Sequence, residues 1–223
     1  MLSQEELSAI LKGRVSVFID ASNVFFINKK LRVRIDYAKV LQFFRTFDPE
    51  AKCYLYTAFQ EGLEKQTEYL DDLVKSGLVV RRKPLKFITT GPTAEDKEAV
   101  GFYKGNMDVE LVIDAIRLMS QYDTFVLFSG DSDFFALLKY LEEHDKKVVV
   151  LSRYGFVAEE LKTIGNFIDI SQFLRRPSTK RAPKQPKTPL PVAPAPIPVP
   201  PTQQANTVPK KRRRFYHPQK KQK

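Results

Sequence analysis

Residues 124–138 read TFVLFSGDSDFFALL. The run from Thr124 to Ser129 is apolar without alternation, which predicts a short strand buried on both faces. From Phe134 onward the apolar residues change period. Phe134, Leu137, Leu138 and Leu141 recur at helical spacing, so the segment predicts a strand, a Gly-Asp-Ser-Asp turn and a helix in immediate succession. A strand feeding directly into a helix is the repeating unit of a parallel α/β sheet.

The same alternation extends outward in both directions. VSVFI (15–19), AKCYLYTAF (51–59), GLVVRR (77–82) and KKVVVLS (146–152) predict further strands. Between them, helical stripes are formed by Tyr37, Val40, Leu41 and Phe44, by Leu63, Leu70, Leu73 and Val74, and by Leu111, Val112, Ala115, Ile116 and Met119. With right-handed crossovers this order predicts a three-layer α/β domain around a mainly parallel sheet, spanning residues 14–174. Residues 1–13 predict a short amphipathic helix, with Ser3 and Glu6 at capping-box spacing. No internal repeat is visible.

Composition changes sharply near the C-terminus. Of the 37 Lys and Arg residues, 14 lie between Arg175 and Lys223, where no Asp or Glu occurs, so residues 1–174 hold 23 bases against 26 acids. The net charge of +11 therefore belongs to the tail. Twelve of the 15 prolines also fall there, and with few large apolar groups to offset ordering entropy the segment 175–223 is read as disordered. PLPVAPAPIPVPP (189–201) favours extended polyproline II and predicts a semi-rigid spacer. Beyond it, KKRRRFYHPQKKQK (210–223) combines cations with Phe215, Tyr216 and His217, which suits nonspecific contacts to nucleic-acid phosphates and bases.

Cys53 is the only cysteine, which excludes an intrachain disulfide and makes the cytoplasm the expected compartment. The N-terminus MLSQEELSAILKG is acidic where a secretory signal is basic, and no run approaches about 18 apolar residues, the length of a membrane span. Cys53 itself, on an apolar strand, reads as a core residue.

In parallel α/β sheets, ligands gather beyond the carboxyl ends of the strands, where strand order reverses. Asp20 directly follows the strand at 15–19, Asp131 and Asp133 follow the strand at 124–129, and Asp108 opens a helix on its sheet-facing edge. Four carboxylates are thus expected on one rim. Crowded carboxylates raise one another's pKa unless a cation lies among them. An all-oxygen donor set suits Mg²⁺ or Mn²⁺, whereas Zn²⁺ normally calls for His or Cys. The only histidines, His144 and His217, lack partners at ligand spacing. Phosphodiester hydrolysis by metal-activated water is the chemistry such a site performs.

Three motifs together carry a family resemblance: FIDASN (18–23), YKGNMDVELVIDAI (103–116) and LFSGDSDFFALL (127–138). In this order they resemble the motifs of NYN-domain proteins of the LabA-like group, relatives of the PIN-domain ribonucleases. The resemblance implies a Rossmann-like PIN fold and a metal-dependent nuclease acting on single-stranded or structured RNA. It also implies that Asp20, Asp108, Asp131 and Asp133 form the acidic metal cluster, with Asn23 completing the first motif and positioning substrate or solvent. Lys104 is expected to hold a phosphate as a point charge, and Ser129 to contact substrate.

Each acid also has a plain structural use. Asp131 or Ser132 suits a helix N-cap, Asp20 a strand-end turn, and Asp108 a favourable charge in a first helical turn. Asp114, six residues beyond Asp108 and about 240° further round the helix, is expected to make a supporting hydrogen bond. RRKPLKF (81–87) and GFYKGN (101–106) are expected to line a nucleic-acid groove, and residues 89–99 to form a loop beside it. Two other phosphate chemistries fail on the residues. Ser22 stands where a haloacid-dehalogenase-type phosphatase needs its second aspartate, and no Gly-rich run ending in Gly-Lys-Ser/Thr is present. The reading from a different class is a regulatory RNA-binding protein whose PIN-like pocket is weakly catalytic or inactive.

Overall fold

The computed structural model describes residues 3–89 and 101–175. The expectations for residues 90–100 and for 176–223 lie outside the described residues. In chain order the elements are α1 (Gln4–Ile10), β1 (Val15–Asp20), α2 (Ala21–Leu31), β2 (Arg34–Ile35), α3 (Tyr37–Arg45), β3 (Lys52–Phe59) and α4 (Glu64–Lys75). They continue with β4 (Val79–Pro84), β5 (Lys86–Thr89), β6 (Gly101–Lys104), α5 (Asp108–Arg117), β7 (Thr124–Phe128), α6 (Phe135–Glu143), β8 (Lys147–Ser152), α7 (Glu159–Thr163), β9 (Asn166–Asp169) and β10 (Leu174–Arg175).

Six strands form one parallel sheet in the order β4-β3-β1-β7-β8-β9. Its centre is where the sequence is most apolar. Every residue of β1 and of β7 is buried, as expected for strands covered on both faces. Successive residues alternate between two cores. Val17, Ile19, Val126 and Phe128 pack with residues of α1 to α4, whereas Phe18, Phe125 and Leu127 pack with residues of α5 to α7. This period-two division produces the three layers. Full burial of each such side chain contributes about 1.5–3 kcal/mol. Cys53 belongs to the first core, is unpaired, and burial pushes its thiol well above the ordinary range.

Several details refine the sequence reading. The capping box of α1 is formed: Ser3 N donates to Glu6 Oε2 across 2.6 Å, and Glu6 N donates to Ser3 Oγ across 3.1 Å. Leu7 and Leu11 bury into the main core, so this helix is integral to the domain. Arg175, assigned from sequence to the tail, still pairs with Arg34 in the small β2–β10 ribbon. Lys104 ends β6, which pairs antiparallel with β5 in a two-stranded ribbon.

Chain order around the sheet places the site. From β1 the chain steps outward through β3 to β4, and then returns to the opposite flank of β1 with β7, β8 and β9. The reversal lies between β1 and β7. Their carboxyl ends flank the crevice in which ligands of such sheets bind.

Candidate functional site

At the carboxyl end of β1 the chain turns directly into α2, and Asp20 caps that helix. Its Oδ1 accepts from Ser22 N (3.0 Å), Ser22 Oγ (2.6 Å) and Asn23 N (3.3 Å). Its Oδ2 accepts from Ser129 Oγ across 3.0 Å. Asp20 is only 5% exposed. Burial raises its pKa, and the hydrogen bonds from Ser22, Asn23 and Ser129 oppose that rise, because they favour the ionised form.

The opposite wall is the turn after β7. Asp131 Oδ1 accepts from Asp133 N across 3.0 Å and so caps the single 3-10 turn Ser132–Phe134 that leads into α6. Asp131 N in turn donates to Ser129 Oγ (3.2 Å), and Gly130 N donates to Asn23 Oδ1 (3.1 Å). Asn23 therefore ties the start of α2 to the β7 turn. Among the described residues its Nδ2 has no hydrogen-bond partner and remains available as a donor. Gly130 is required by packing. A Cβ there would stand 1.9 Å from the Phe156 carbonyl oxygen, closer than any side chain permits.

Asp108 enters from the third direction, as the first residue of α5. Its Oδ2 accepts from Asn106 Nδ2 across 2.5 Å. Burial is the chief reason that its pKa is raised to about 6, and the negative charges of Asp20, Asp131 and Asp133 push it further in the same direction against the Asn106 hydrogen bond. The fold thus brings Asp20, Asp131 and Asp133 within electrostatic reach of Asp108. None of them joins an ion pair among the described residues, whereas Asp114 and Asp169 are paired with Arg81 and Arg153.

The three structural uses expected of these acids are all realised. Asp20 and Asp131 are caps and Asp108 begins a helix. Capping and clustering coexist because helix starts at the carboxyl rim point their first turns at the crevice. Among the described residues, no three His, Cys, Asp or Glu side chains stand close enough together to hold one metal ion. The donor chemistry nevertheless suits a hard cation: four carboxylates, no basic neighbour in contact, and free oxygens on Asp108, Asp131 and Asp133. Mg²⁺ is commonly held by one or two carboxylates with several retained waters, which is the coordination such open spacing allows.

A small cleft beside Asp20 is walled by Ser22, Thr57, Ala58, Gly105 and Met107. Gly105 allows the chain leaving β6 to press against the end of β3: a Cβ there would meet both Ala58 Cβ and Leu85 Cδ2 at 2.4 Å. Lys104, exposed and without an ion pair among the described residues, therefore stands one residue from the cleft wall. Ser129, expected to contact substrate, is fully buried, and its hydroxyl donates inward to Asp20. Asp114 accepts from Tyr56 Oη (3.2 Å) and Arg81 Nε (3.0 Å), a supporting role as expected. The expected groove at 81–87 is partly spent on such pairs, because Arg82 bridges Asp71 and Lys83 bridges Glu110. Ser22 and Gly130 lay inside the quoted motifs but were given no role from sequence. Their types, a hydroxyl two residues after a strand-end aspartate and a glycine in a tight turn, were the available signals.

The NYN domain family model matches residues 14–171, from the start of β1 to the segment after β9. The chain belongs to the NYN domain family. This NYN chain is also similar to the Low amplitude and bright protein LabA of Synechococcus elongatus, at 33% identity over 167 residues, covering 73% of this chain and 87% of that protein. Among solved structures it resembles VPA0982, a protein of unknown function from Vibrio parahaemolyticus, with a TM-score of 0.57 and 25% identity over 78% of this chain and 100% of the other. NYN domains are PIN-like and members of the family are usually ribonucleases, so an RNA-related hydrolase is the coarse expectation that membership brings. No helix among the described residues of this NYN protein is long and apolar enough to cross a membrane.

Proposed function

We propose that this chain is a Mg²⁺- or Mn²⁺-dependent ribonuclease that hydrolyses RNA phosphodiester bonds at the rim formed by Asp20, Asp108, Asp131 and Asp133. One observation carries the reading: burial, with the charges of Asp20, Asp131 and Asp133 adding to it, raises the Asp108 carboxyl to about 6, and no basic side chain among the described residues is paired with any of the four. Uncompensated negative charge of this kind is costly to fold and is relieved by a divalent cation.

In this reading one or two of Asp20, Asp108 and Asp131 would hold the ion directly, and the others, with Asp133, would reach it through retained waters. When bound, such an ion polarises the phosphoryl oxygen and lowers the pKa of water. The remaining work belongs to the chain. Ser22, Asn23 and Ser129 orient Asp20 and oppose the rise in its pKa that burial causes. Asn106 fixes one oxygen of Asp108. Asn23 offers its free Nδ2 to a phosphate oxygen or to solvent, and Lys104 supplies positive charge for the strand being cut. The cytoplasm remains the proposed compartment, since the single thiol is buried and unpaired.

A second reading is favoured by a separate observation. The open spacing of the carboxylates, together with their use as caps, also suits a PIN-like RNA-binding protein with little or no turnover.

Single variants Asp20→Asn and Asp131→Asn, assayed on labelled single-stranded and hairpin RNA with Mg²⁺, Mn²⁺ or EDTA, separate the two. Loss of a ligand charge from a working cluster lowers the rate by orders of magnitude. Equal cleavage by wild type and variants removes the enzyme assignment. Binding without chelator-sensitive cleavage leaves the regulatory reading.

A further inference from the structure

The ribbon of β5 and β6 runs into the wall of the Asp20 cleft at Gly105, and the proposed reaction assigns it no more than Lys104. Its register sets Lys86 directly opposite Lys104 and Ile88 opposite Phe102. Residues two apart on a strand share a face, as do residues directly opposite. Lys86, Lys104 and Ile88 therefore lie on one face of the ribbon, and Phe87 lies on the other. All four side chains are exposed, Ile88 at 37% and Phe87 at 45%.

Like charges placed directly opposite each other destabilise a two-stranded ribbon. Elsewhere nearby, the fold neutralises its cations. On the adjacent strand β4, Arg81 meets Asp114, Arg82 meets Asp71 and Lys83 meets Glu110. Lys86 and Lys104 have no such partner among the described residues. The pair is also fixed in place, because Leu85 N donates to Phe59 O across 2.8 Å and Gly105 packs against Ala58 in the cleft that Asp20 lines. An unneutralised cationic pair, anchored at the mouth of an anionic cleft, suits a polyanion whose backbone is gripped on one side and presented to the carboxylates on the other.

We propose that the Lys86–Lys104 face of this ribbon is a guide for single-stranded RNA, with the two ammonium groups on neighbouring phosphates of one strand and Ile88 against a base. Two cations this close together reach along a single backbone and do not span the two backbones of a duplex. The inference rests on RNA being the substrate of the aspartate site, but it concerns binding, which is measurable without turnover.

The test uses the full chain in EDTA with a fluorescent 12-nucleotide oligouridylate, and follows affinity as a function of salt. Lys86→Ala and Lys104→Ala each lower the slope of log K against log salt by about 0.7, the value for one phosphate contact to a single strand. Phe87→Ala, on the opposite face, leaves the slope unchanged. Neither lysine variant lowers the melting temperature, since each removes a like-charge contact. Unchanged slopes in both lysine variants overturn the guide, even if wild-type cleavage is metal-dependent. Equal losses on a 12-base-pair RNA duplex overturn its single-strand preference, and competition by polyglutamate as effective as that by RNA reassigns the face to an acidic protein. Slopes that fall as stated in a protein that does not cleave RNA uphold the guide and sink the ribonuclease reading alone.

Discussion

The Ser129 hydroxyl donates to Asp20 Oδ2 across 3.0 Å, joining the ends of two neighbouring strands whose residues are 109 positions apart in the chain. Ser129 Oγ also accepts from Asp131 N. One buried side chain therefore ties the Asp20 carboxylate on one wall of the crevice to the Asp131 backbone on the other.

Replacing Ser129 with Ala strips Asp20 Oδ2 of its donor and leaves the Asp131 N–H without its acceptor. A buried polar group so deprived costs about 1–3 kcal/mol, which thermal or urea unfolding will register. Because the Ser129 bond opposes the burial-driven rise in the Asp20 pKa, its loss moves that pKa further up. The pH–rate profile of the variant is expected to shift its acidic limb to higher pH, and an unmoved limb would count against Asp20 as the titrating group.

Asp108 supplies a pH dependence of stability. Its pKa is raised from 3.8 to about 6, so between those values the native state holds a proton that the unfolded chain releases. Stability contributed by this group is thus present at low pH and lost as pH climbs through about 6. Asp108→Asn is expected to be more stable than wild type at pH 7.5, with the gap closing towards pH 4. Asp108 is only half buried and water screens its neighbours, so the gain is on the order of 1 kcal/mol, or about 2–4 °C in Tm for a chain of this size. A variant less stable at pH 7.5 than at pH 4, relative to wild type, contradicts the raised pKa of Asp108.

Cation binding at the rim should appear as stabilisation independent of catalysis. At a concentration about 100 times Kd, a ligand specific for the native state adds about 2.7 kcal/mol. Melting in Mg²⁺ or Mn²⁺ against EDTA should therefore raise the wild-type Tm by several degrees and leave Asp131→Asn nearly unmoved. Identical shifts in both proteins would mean that the ion binds elsewhere.

Gly130→Ala tests the turn itself. The added carbon would lie 1.9 Å from Phe156 O and 2.9 Å from Ser152 Oγ, and the first of these is backbone, so the turn must move. A loss above about 3 kcal/mol is expected, seen as a collapse in soluble yield or a large fall in Tm. Near-native melting would show that the approach of residues 130 and 156 is looser than described.

Deletion of residues 176–223 removes 13 of the 14 tail cations and no residue of the sheet. Affinity for RNA and its salt dependence are expected to fall while metal-dependent cleavage persists. Unchanged affinity at low salt would dismiss the tail as an RNA tether.

Legibility followed local periodicity. Strands β1, β7 and β8 were readable because both faces are buried and the apolar run is continuous, and α3, α5 and α6 because their stripes are wide. Helix α2 was not read. Only Val24 and Ile27 of its 11 residues are buried, so Phe25, Phe26 and Leu31 obscure the helical period. The β5–β6 ribbon is illegible for another reason: four-residue strands separated by 11 residues carry too little periodic pattern to specify their pairing.

The order of residues alone determined the α/β alternation, the placement of Asp20, Asp108 and Asp131 at the starts of helices or turns, and the segregation of positive charge beyond Arg175, because each is recorded within a few neighbouring positions. Tertiary structure decided which of these acids feel one another, that Ser129 faces inward, that Arg81 and Lys83 are consumed by Asp114 and Glu110, and that Lys86 stands opposite Lys104. Those outcomes depend on strand order and on the direction of each side chain, and both are set by how distant segments pack.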